Sequence, residues 1–195
     1  MPLTVPNTAP FSGAQKMWLK GYLDALNSAL APHSGGVSTP QAAPVPAGIP
    51  VTILWGSQTG NSEALGKKLS KTLAAQGHFP TLRDMAEISP PELAKLEHVL
   101  LITSTYGDGE PPDNAAALHA ALHADDAPPL ESVNFAVLAL GDSNYPEFCK
   151  CGRDFHSRLA GLGAKPLIRL VECDVDYDKP FAEFISQIEK LLIPV

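Results

Sequence analysis

The run Gly56-Ser57-Gln58-Thr59-Gly60-Asn61 combines hydroxyl, amide and glycine residues between a β-branched apolar segment and a segment with apolar residues at helical spacing. A strand, such a turn and a helix in succession can form an anion site, because the first N–H groups of a helix have no partner within it and carry partial positive charge. No Lys or Arg occurs between Val51 and Leu65. The Lys-Ser/Thr ending of a nucleotide-triphosphatase P-loop and the Gly-x-Gly-x-x-Gly of a dinucleotide fold are both missing. The run therefore predicts a site for a terminal monophosphate held by neutral donors, with a simple helix cap as the alternative.

Two further loops carry glycines and tyrosines. Ser104-Thr105-Tyr106-Gly107-Asp108-Gly109-Glu110-Pro111-Pro112-Asp113-Asn114 follows one apolar run, and Gly141-Asp142-Ser143-Asn144-Tyr145-Pro146-Glu147-Phe148-Cys149 follows the next. Glycine permits tight turns with the backbone facing a ligand, and a tyrosine offers a flat face for a planar ring. A single loop tyrosine followed by a glycine is usually only an aromatic residue at the rim of a protein surface. Two of them opposite a monophosphate turn predict a ligand with a phosphate at one end and a large flat ring at the other.

Apolar runs alternate with helical patterns from Val51 onward. We predict strands at Val51–Trp55, Thr81–Asp84, His98–Thr103, Val133–Ala139 and Leu167–Leu170, and helices at Asn61–Gln76, Pro90–Lys95, Asn114–Ala124, Glu147–Leu162 and Lys179–Leu192. Five strands interleaved with five helices indicate a doubly wound parallel sheet, whose central strands are continuous apolar runs because both faces are covered. Ligands of such sheets bind at the carboxyl ends of the strands, so the three loops should meet at one edge.

The N-terminal fifty residues have a different composition. Residues 1–30 contain a predicted amphipathic helix, Phe11–Leu30, with an apolar stripe, and residues 31–50 are rich in Pro and Ala and have no Asp, Glu, Lys or Arg. We therefore expect a separate helix, a partly extended linker, and a main domain at residues 51–195. The helix could pack on the main domain or dock on another subunit, and the linker favours docking.

Composition and charge limit the function further. The chain has 195 residues and a formal net charge of −7, which argues against a nucleic-acid partner. No uncharged apolar run is long enough for a membrane span, and the N-terminus has no basic segment before an apolar core, so we expect a soluble cytoplasmic protein. Three cysteines without Cys-x-x-Cys spacing predict neither a disulfide framework nor a zinc site. His119 and His123 stand four apart without an evident third metal ligand, which predicts a solvated helix face.

Three loop sequences together resemble the FMN-binding loops of the flavodoxin-like domain in diflavin reductases. They are Ser57-Gln58-Thr59-Gly60-Asn61, Ser104-Thr105-Tyr106-Gly107-Asp108-Gly109-Glu110-Pro111-Pro112 and Leu140-Gly141-Asp142-Ser143-Asn144-Tyr145, in the order of the family. Within that family the chain most resembles the flavoprotein (alpha) subunit of NADPH-dependent sulfite reductase, from about Val51 to the C-terminus. The resemblance implies a flavodoxin-like five-stranded parallel sheet of order 2-1-3-4-5, with helices on both faces and FMN as the cofactor.

The resemblance also assigns residues by position. It implies that the FMN phosphate is bound by Ser57, Gln58, Thr59, Gly60 and Asn61, that Ser104, Thr105, Tyr106 and Gly107 run along the isoalloxazine, and that Leu140, Gly141, Asn144, Tyr145, Phe148 and Cys149 form its other wall. Asp174 matches an acidic position near the flavin mouth. It implies no catalytic side chain and no metal. A Gln often stands at the position of Tyr106 in sulfite reductase flavoproteins, whereas cytochrome reductases have Tyr. The resemblance therefore indicates the cofactor more specifically than it indicates the protein that accepts the electrons.

The function implied by the resemblance is FMN-dependent electron transfer from an FAD- and NADPH-binding reductase module to a haem protein. The 195 residues do not contain that module, so the chain alone is not expected to oxidise NADPH. Trp18 to Leu26 resembles the short helix before the linker in sulfite reductase flavoproteins, which implies contact with another subunit. Two alternatives stay open: a free-standing flavodoxin that serves another redox chain, and a cofactor-free flavodoxin-like assembly module.

Overall fold

The computed structural model describes Lys20, Tyr22, Leu23 and residues 48–192. Lys20, Tyr22 and Leu23 are helical, while the rest of the predicted helix at Phe11–Leu30 and the linker up to residue 47 lie outside the described residues. The chain divides into two units, Met1–Ala43 and Pro44–Val195. The architecture below is that of the described part of the second unit.

Strands and helices alternate along this unit, except that the last two strands follow each other without a helix between them. The strands are β1 (Pro50–Gly56), β2 (Phe79–Asp84), β3 (His98–Ser104), β4 (Asn134–Leu140), β5 (Lys165–Pro166) and β6 (Val171–Cys173). The α-helices are α1 (Asn61–Ala75), α2 (Pro90–Leu93), α3 (Asp113–His123), α4 (Lys150–Gly161) and α5 (Asp178–Leu191), and a 3₁₀ turn spans Met85–Glu87. All strand pairs are parallel, in the order β2-β1-β3-β4-β5, and β6 also pairs with β4. The order confirms the flavodoxin-like fold expected from the resemblance.

Both faces of the sheet are covered, because successive strand side chains point to opposite faces. On one face Leu54, Leu101 and Val137 pack with residues of α3 and α4 such as Leu118 and Phe155. On the other face a second apolar cluster joins the strands to α1 and α5; it includes Ile53, Leu100, Leu138, Leu69 and Phe184. The continuous apolar runs of β3 and β4 are fully buried, as the sequence predicts for central strands of such a sheet.

The register brings the ends of the central strands to one edge. Gly56 at the end of β1 pairs with Thr103, and Ser104 at the end of β3 pairs with Leu140 at the end of β4. Each of the three loops noted in the sequence begins just after one of these strands. The loops therefore start side by side at the carboxyl edge.

The prediction that the fifth strand spans Leu167–Leu170 is wrong. Residues 167–170 are irregular, and the fifth position in the sheet is shared by the short strands β5 and β6. On β4, Phe135 pairs with Pro166 and Leu138 pairs with Val171. The partner chain therefore advances five residues where β4 advances three. Leu167 and Ile168 are neighbours in sequence, yet both pack against the cluster formed by α1 and α5. A regular strand cannot do this, since its successive side chains alternate between faces. The two extra residues therefore form a bulge.

The helix predicted at Glu147–Leu162 is also shorter than expected. It begins at Lys150, because Cys149 before it has a left-handed backbone conformation with φ 55°. Residues 147–149 therefore belong to the loop after β4. Among the described residues, no helix is both long and apolar enough to cross a membrane.

Candidate functional site

A cavity of about 540 Å³ lies at the carboxyl edge, beside the ends of β3, β4 and β6. Its volume is within the range of small-molecule sites. The predicted site residues that line it are Asn61, Ser104, Thr105, Tyr106, Gly107, Leu140, Gly141, Tyr145, Phe148, Cys149 and Asp174. Four further lining residues, Asp142, Glu147, Val175 and Tyr177, were not in the predicted set. Asp142 and Glu147 lie in the loop after β4, whose motif the sequence analysis noted, whereas Val175 and Tyr177 lie after β6, where the sequence predicted only Asp174.

The turn at residues 57–60 adjoins the cavity through Asn61 rather than lining it. Ser57 closes the turn, since its Oγ accepts hydrogen bonds from the N–H of Gly60 at 2.9 Å and of Ser62 at 3.4 Å. Gly60 precedes α1 with φ 88°, a left-handed conformation that glycine adopts readily. Within residues 48–192, the N–H groups of Gln58, Thr59 and Asn61 have no hydrogen-bond partner. The turn thus presents neutral backbone donors at a helix N-terminus.

The Gln58 side chain is occupied by α3. Its Nε2 donates to Asp113 Oδ2 at 3.1 Å, and its Oε1 accepts from the Asp113 N–H at 3.3 Å. The Gln58 side chain is thus turned to Asp113, while the Gln58 backbone N–H is unpaired within residues 48–192. The pattern of the turn could not reveal this, because Asp113 is 55 residues away in sequence.

The loop after β3 is a tight hairpin that carries Tyr106. Tyr106 and Glu110 exchange two backbone hydrogen bonds, of 2.9 and 2.8 Å, and Gly107 and Gly109 between them have positive φ values of 51° and 107°. Thr105 anchors the hairpin, because its N–H donates to Leu140 O and its Oγ1 accepts from the N–H of Cys151. Tyr106 remains 55% exposed as a residue and lines the cavity. A fixed backbone therefore holds a solvent-facing ring at one wall.

The loop after β4 holds Tyr145, which is 60% exposed, at the same cavity. Asp142 organises this loop: its Oδ1 accepts from the N–H of Asn144 at 2.9 Å and from Asn144 Nδ2 at 2.7 Å, and its carbonyl accepts from the N–H of Tyr145. The Asn144 side chain is thus bound within its own loop, and Asn144 does not line the cavity. In the structure Asn144 stabilises its own loop through its contacts with Asp142.

Glycine at position 141 is required by close packing. A Cβ atom there would lie 2.8 Å from Cys149 N and 2.9 Å from Phe148 Cδ2. Gly141 N–H also donates to Cys173 O at 2.9 Å, which continues the ladder between β4 and β6. The cavity floor is therefore backbone, drawn close to the wall formed by Phe148 and Cys149.

Asp174 ties the loop after β6 to the loop after β4. Its carboxylate accepts from the Ser143 hydroxyl, from the Ser143 N–H at 3.0 Å and from the Val175 N–H at 2.8 Å. The hydrogen bond from the Ser143 hydroxyl is the largest cause, followed by those from the two N–H groups, and together they hold the pKa of the Asp174 carboxyl below its usual range. Asp174 is therefore a charged group at the cavity mouth in neutral solution.

Cys149 contributes a buried, neutral thiol to the wall. Burial raises its pKa to about 12, and its Sγ lies 3.4 Å from Ala139 O and 3.6 Å from Cys173 O. Burial likewise raises the pKa of Cys151 and of Cys173 to about 11. Since a thiolate is the reactive form, these three buried thiols, of which only Cys149 lines the cavity, serve as small packing groups.

The mouth of the cavity is acidic. Asp142, Glu147 and Asp174 line it, and Lys150 Nζ lies 3.7 Å from Glu147 Oε2. The more distant acidic loop residues Asp108, Glu110 and Asp176 are exposed. These charges would attract a positively charged partner surface and oppose one of like sign.

The histidine pair on α3 is packed differently from the expectation. The rings of His119 and His123 are stacked with centroids 4.3 Å apart, but His119 is half-buried against Phe155 rather than solvated. Burial, and next the charge of His123, lower the pKa of His119. The Asp154 carboxylate, whose Oδ2 lies 3.8 Å from His119 Nε2, acts in the opposite direction. In the described part of the chain, no group of three or more His, Cys, Asp or Glu residues could hold a metal ion.

Comparison with known proteins adds three findings to this geometry. A family model described as flavodoxin matches residues 53–185. The chain is 45% identical over 180 residues to the sulfite reductase [NADPH] flavoprotein alpha-component of Bacillus subtilis, covering 91% of this chain and 30% of that protein. It is 42% identical over 191 residues to the protein of the same name from Shewanella sp. strain ANA-3, covering 96% of this chain and 31% of the relative.

The fold is similar to that of solved flavodoxins. A flavodoxin of Streptococcus pneumoniae TIGR4 superposes with a TM-score of 0.66 at 26% identity, covering 75% of this chain and 99% of that one. Oxidised flavodoxin 2 from Bacillus cereus superposes with a TM-score of 0.64 at 25% identity, covering 72% and 97%. The chain therefore spans a whole flavodoxin but only about 30% of the length of the curated relatives named above.

Proposed function

Because the chain belongs to the flavodoxin family, we propose that it binds FMN at the carboxyl edge of its sheet and serves in electron transfer. FMN is the cofactor of this family. When bound, it supplies the redox chemistry, accepting electrons from one protein and passing them to another. The protein contributes binding, orientation and the surrounding charge.

The turn before α1 fits the phosphate end of FMN. The unpaired N–H groups of Gln58, Thr59 and Asn61 are donors at a helix N-terminus, where an anion is favoured. The hydroxyl of Ser62 is buried without a partner among the described residues, so a further donor lies beside the turn. This donor set contains no cation, and it suits a monophosphate better than a triphosphate.

The cavity beside the turn fits a flat ring. Tyr106 and Tyr145 are exposed aromatic residues on separate loops at the cavity, and Leu140 and Phe148 add apolar surface. Aromatic faces favour stacked arrangements with planar rings. The Ser104 hydroxyl is buried without a partner among the described residues, which leaves a polar atom at the cavity wall.

We extend the proposal to the larger enzyme. The curated relatives are named as one component of sulfite reductase [NADPH], and on that basis this domain would receive electrons from an FAD- and NADPH-binding module and pass them to a haem protein. The acidic mouth supports a basic docking surface on either partner. Contact of the N-terminal helix with another subunit is part of the same proposal. So is a cytoplasmic location, which agrees with three free thiols at Cys149, Cys151 and Cys173.

The observation that carries the proposal is a turn of neutral donors without a cation, which adjoins the cavity through Asn61, together with two exposed tyrosines that line the same cavity. Its test is the flavin content of the purified 195-residue protein, with the flavin identified by chromatography after release. We expect FMN at about one per chain. A colourless protein that does not take up added FMN, or one that selects FAD, would contradict the proposal.

The sulfite reductase role, the free carrier and the assembly module differ in how they would use the N-terminal segment. A free-standing flavodoxin has no need of residues 1–50, whereas an enzyme component could use them for assembly. A pull-down with the full chain and with a chain that lacks Met1 to Pro50 would distinguish them. A haem protein retained only by the full chain supports the sulfite reductase role, and equal behaviour of both chains favours the free carrier. Retention without bound FMN favours the assembly module.

A further inference from the structure

We propose that Asn114 is a positioning residue for the phosphate turn, an inference that rests on the proposed function. Asn114 lies in the first turn of α3, 57 residues after Ser57 in sequence. Its Oδ1 accepts a hydrogen bond of 2.9 Å from the Ser57 N–H. It therefore holds the first residue of the turn without being part of it.

The carboxamide of Asn114 joins three segments. Its Nδ2 donates to Asp84 Oδ1 at 2.9 Å, at the end of β2, and to Trp55 O at 3.3 Å, in β1. With the amide reversed, the oxygen would face two acceptors and the nitrogen would face the Ser57 donor. The observed orientation is thus the one that satisfies all three partners.

The contact between Asn114 and Ser57 also affects the backbone N–H donors of the turn. Ser57 uses its N–H for Asn114 and its Oγ to bind the N–H groups of Gly60 and Ser62. Asn114 is consequently the first link of a chain of hydrogen bonds that shapes the turn. In the same arrangement the N–H groups of Gln58, Thr59 and Asn61 remain unpaired within residues 48–192 and available to a phosphate.

The packing around β1 allows α3 to approach this closely. A Cβ atom on Gly56 would lie 2.9 Å from Ala115 Cβ and 3.0 Å from Met85 Sδ, so glycine is needed where α3 meets the strand end. The reciprocal hydrogen bonds between Gln58 and Asp113 add a second tie between the turn and α3. The turn is thereby fixed from outside by the start of a helix.

Preorganisation is important here because the turn has no cation. A phosphate bound only by neutral N–H groups depends on the direction of those donors, since no side-chain charge compensates for a misplaced one. Loss of the Asn114 contacts should therefore weaken recognition of the phosphate and leave the ring end unaffected. FMN and riboflavin, which share the ring but differ in the phosphate, separate these effects.

The test uses flavin-free 195-residue protein titrated with FMN and with riboflavin, followed by quenching of flavin fluorescence. Asn114→Ala removes all three contacts. Asn114→Asp keeps the size and an acceptor for Ser57 but loses the donors and places a carboxylate beside Asp84. Asn134→Ala is the matched control, because the Asn134 side chain donates to Glu97 O at 3.1 Å near the opposite ends of the strands.

We expect both Asn114 variants to bind FMN about tenfold more weakly or worse, while riboflavin binding stays within about twofold and the control retains both affinities. Unchanged FMN binding, or an equal loss for both flavins, would overturn the inference alone. So would loss of near-ultraviolet circular dichroism in both variants, since it would assign Asn114 to general folding. Failure of the unaltered protein to bind FMN would overturn the proposed function and this inference with it.

Discussion

The carboxylate of Asp174 accepts a hydrogen bond of 3.0 Å from the N–H of Ser143, which joins the loop after β6 to the loop after β4. The second loop carries Tyr145 at the cavity. Asp174 thus supports the proposed ring end of the site, while Asn114 supports the proposed phosphate end. The two ends can be tested separately.

Replacement of Asp174 should weaken ring binding. We expect Asp174→Ala to raise the dissociation constants of FMN and riboflavin by the same factor, about three- to tenfold, since the Tyr145 loop loses hydrogen bonds that fix it. Fluorescence titration of flavin-free protein measures both constants. Asp176→Ala is the control, because Asp176 is exposed in the same loop. A loss confined to FMN would contradict the assignment of Asp174 to the ring end.

Removal of the Tyr145 ring should release FMN. Tyr145→Asp replaces a flat aromatic face by a carboxylate in an already acidic mouth, and we expect affinity for FMN to fall about tenfold or more. Recovery of free-flavin fluorescence on dilution measures the release. Tyr145→Phe keeps the ring and should retain the cofactor. Equal retention by the Asp variant would argue against stacking on Tyr145.

A methyl group at position 141 should strain the cavity floor. Gly141→Ala brings a Cβ within 2.9 Å of Phe148 Cδ2, and overpacking of this kind lowers the free energy of unfolding by about 1–3 kcal/mol. Urea denaturation of the flavin-free protein measures the loss. Gly161→Ala is the matched control, because a Cβ there meets nothing within 4 Å. Similar effects from the two substitutions would show that crowding at Gly141 is not the cause.

Stability should decrease as the pH falls through the histidine range. Burial lowers the pKa of His119 and of His156 below the ordinary value of 6.5, so the unfolded chain takes up more protons than the folded chain on acidification. Their contribution is present above about pH 6.5 and is lost as the pH falls through the lowered pKa values. Urea denaturation from about pH 7.5 to about pH 5.5 should show the decrease. The double substitution His119→Gln and His156→Gln should reduce the slope, and an unchanged slope would exclude these residues as its source.

Much of the fold was predictable because the central strands have a local signal. Continuous apolar runs such as Val99–Ile102 predict strands covered on both faces, and the structure confirms them. The fifth strand was not predictable in the same way. Leu167 to Leu170 is apolar enough for a strand, but its first two side chains pack on one face, and that choice depends on the helices around them.

The sequence by itself determined which loops follow the strands and which residue types lie at the carboxyl edge. Parallel strands joined by helical crossovers bring their carboxyl ends to one edge of the sheet whatever the details of the side chains. Only the tertiary structure decided how those residues are used. Gln58 turns its side chain to Asp113, Asn144 supports its own loop, and Asn114 holds Ser57. Two of these three contacts join residues more than 50 positions apart, and a hydrogen bond between distant residues depends on atomic positions that only the packed fold establishes.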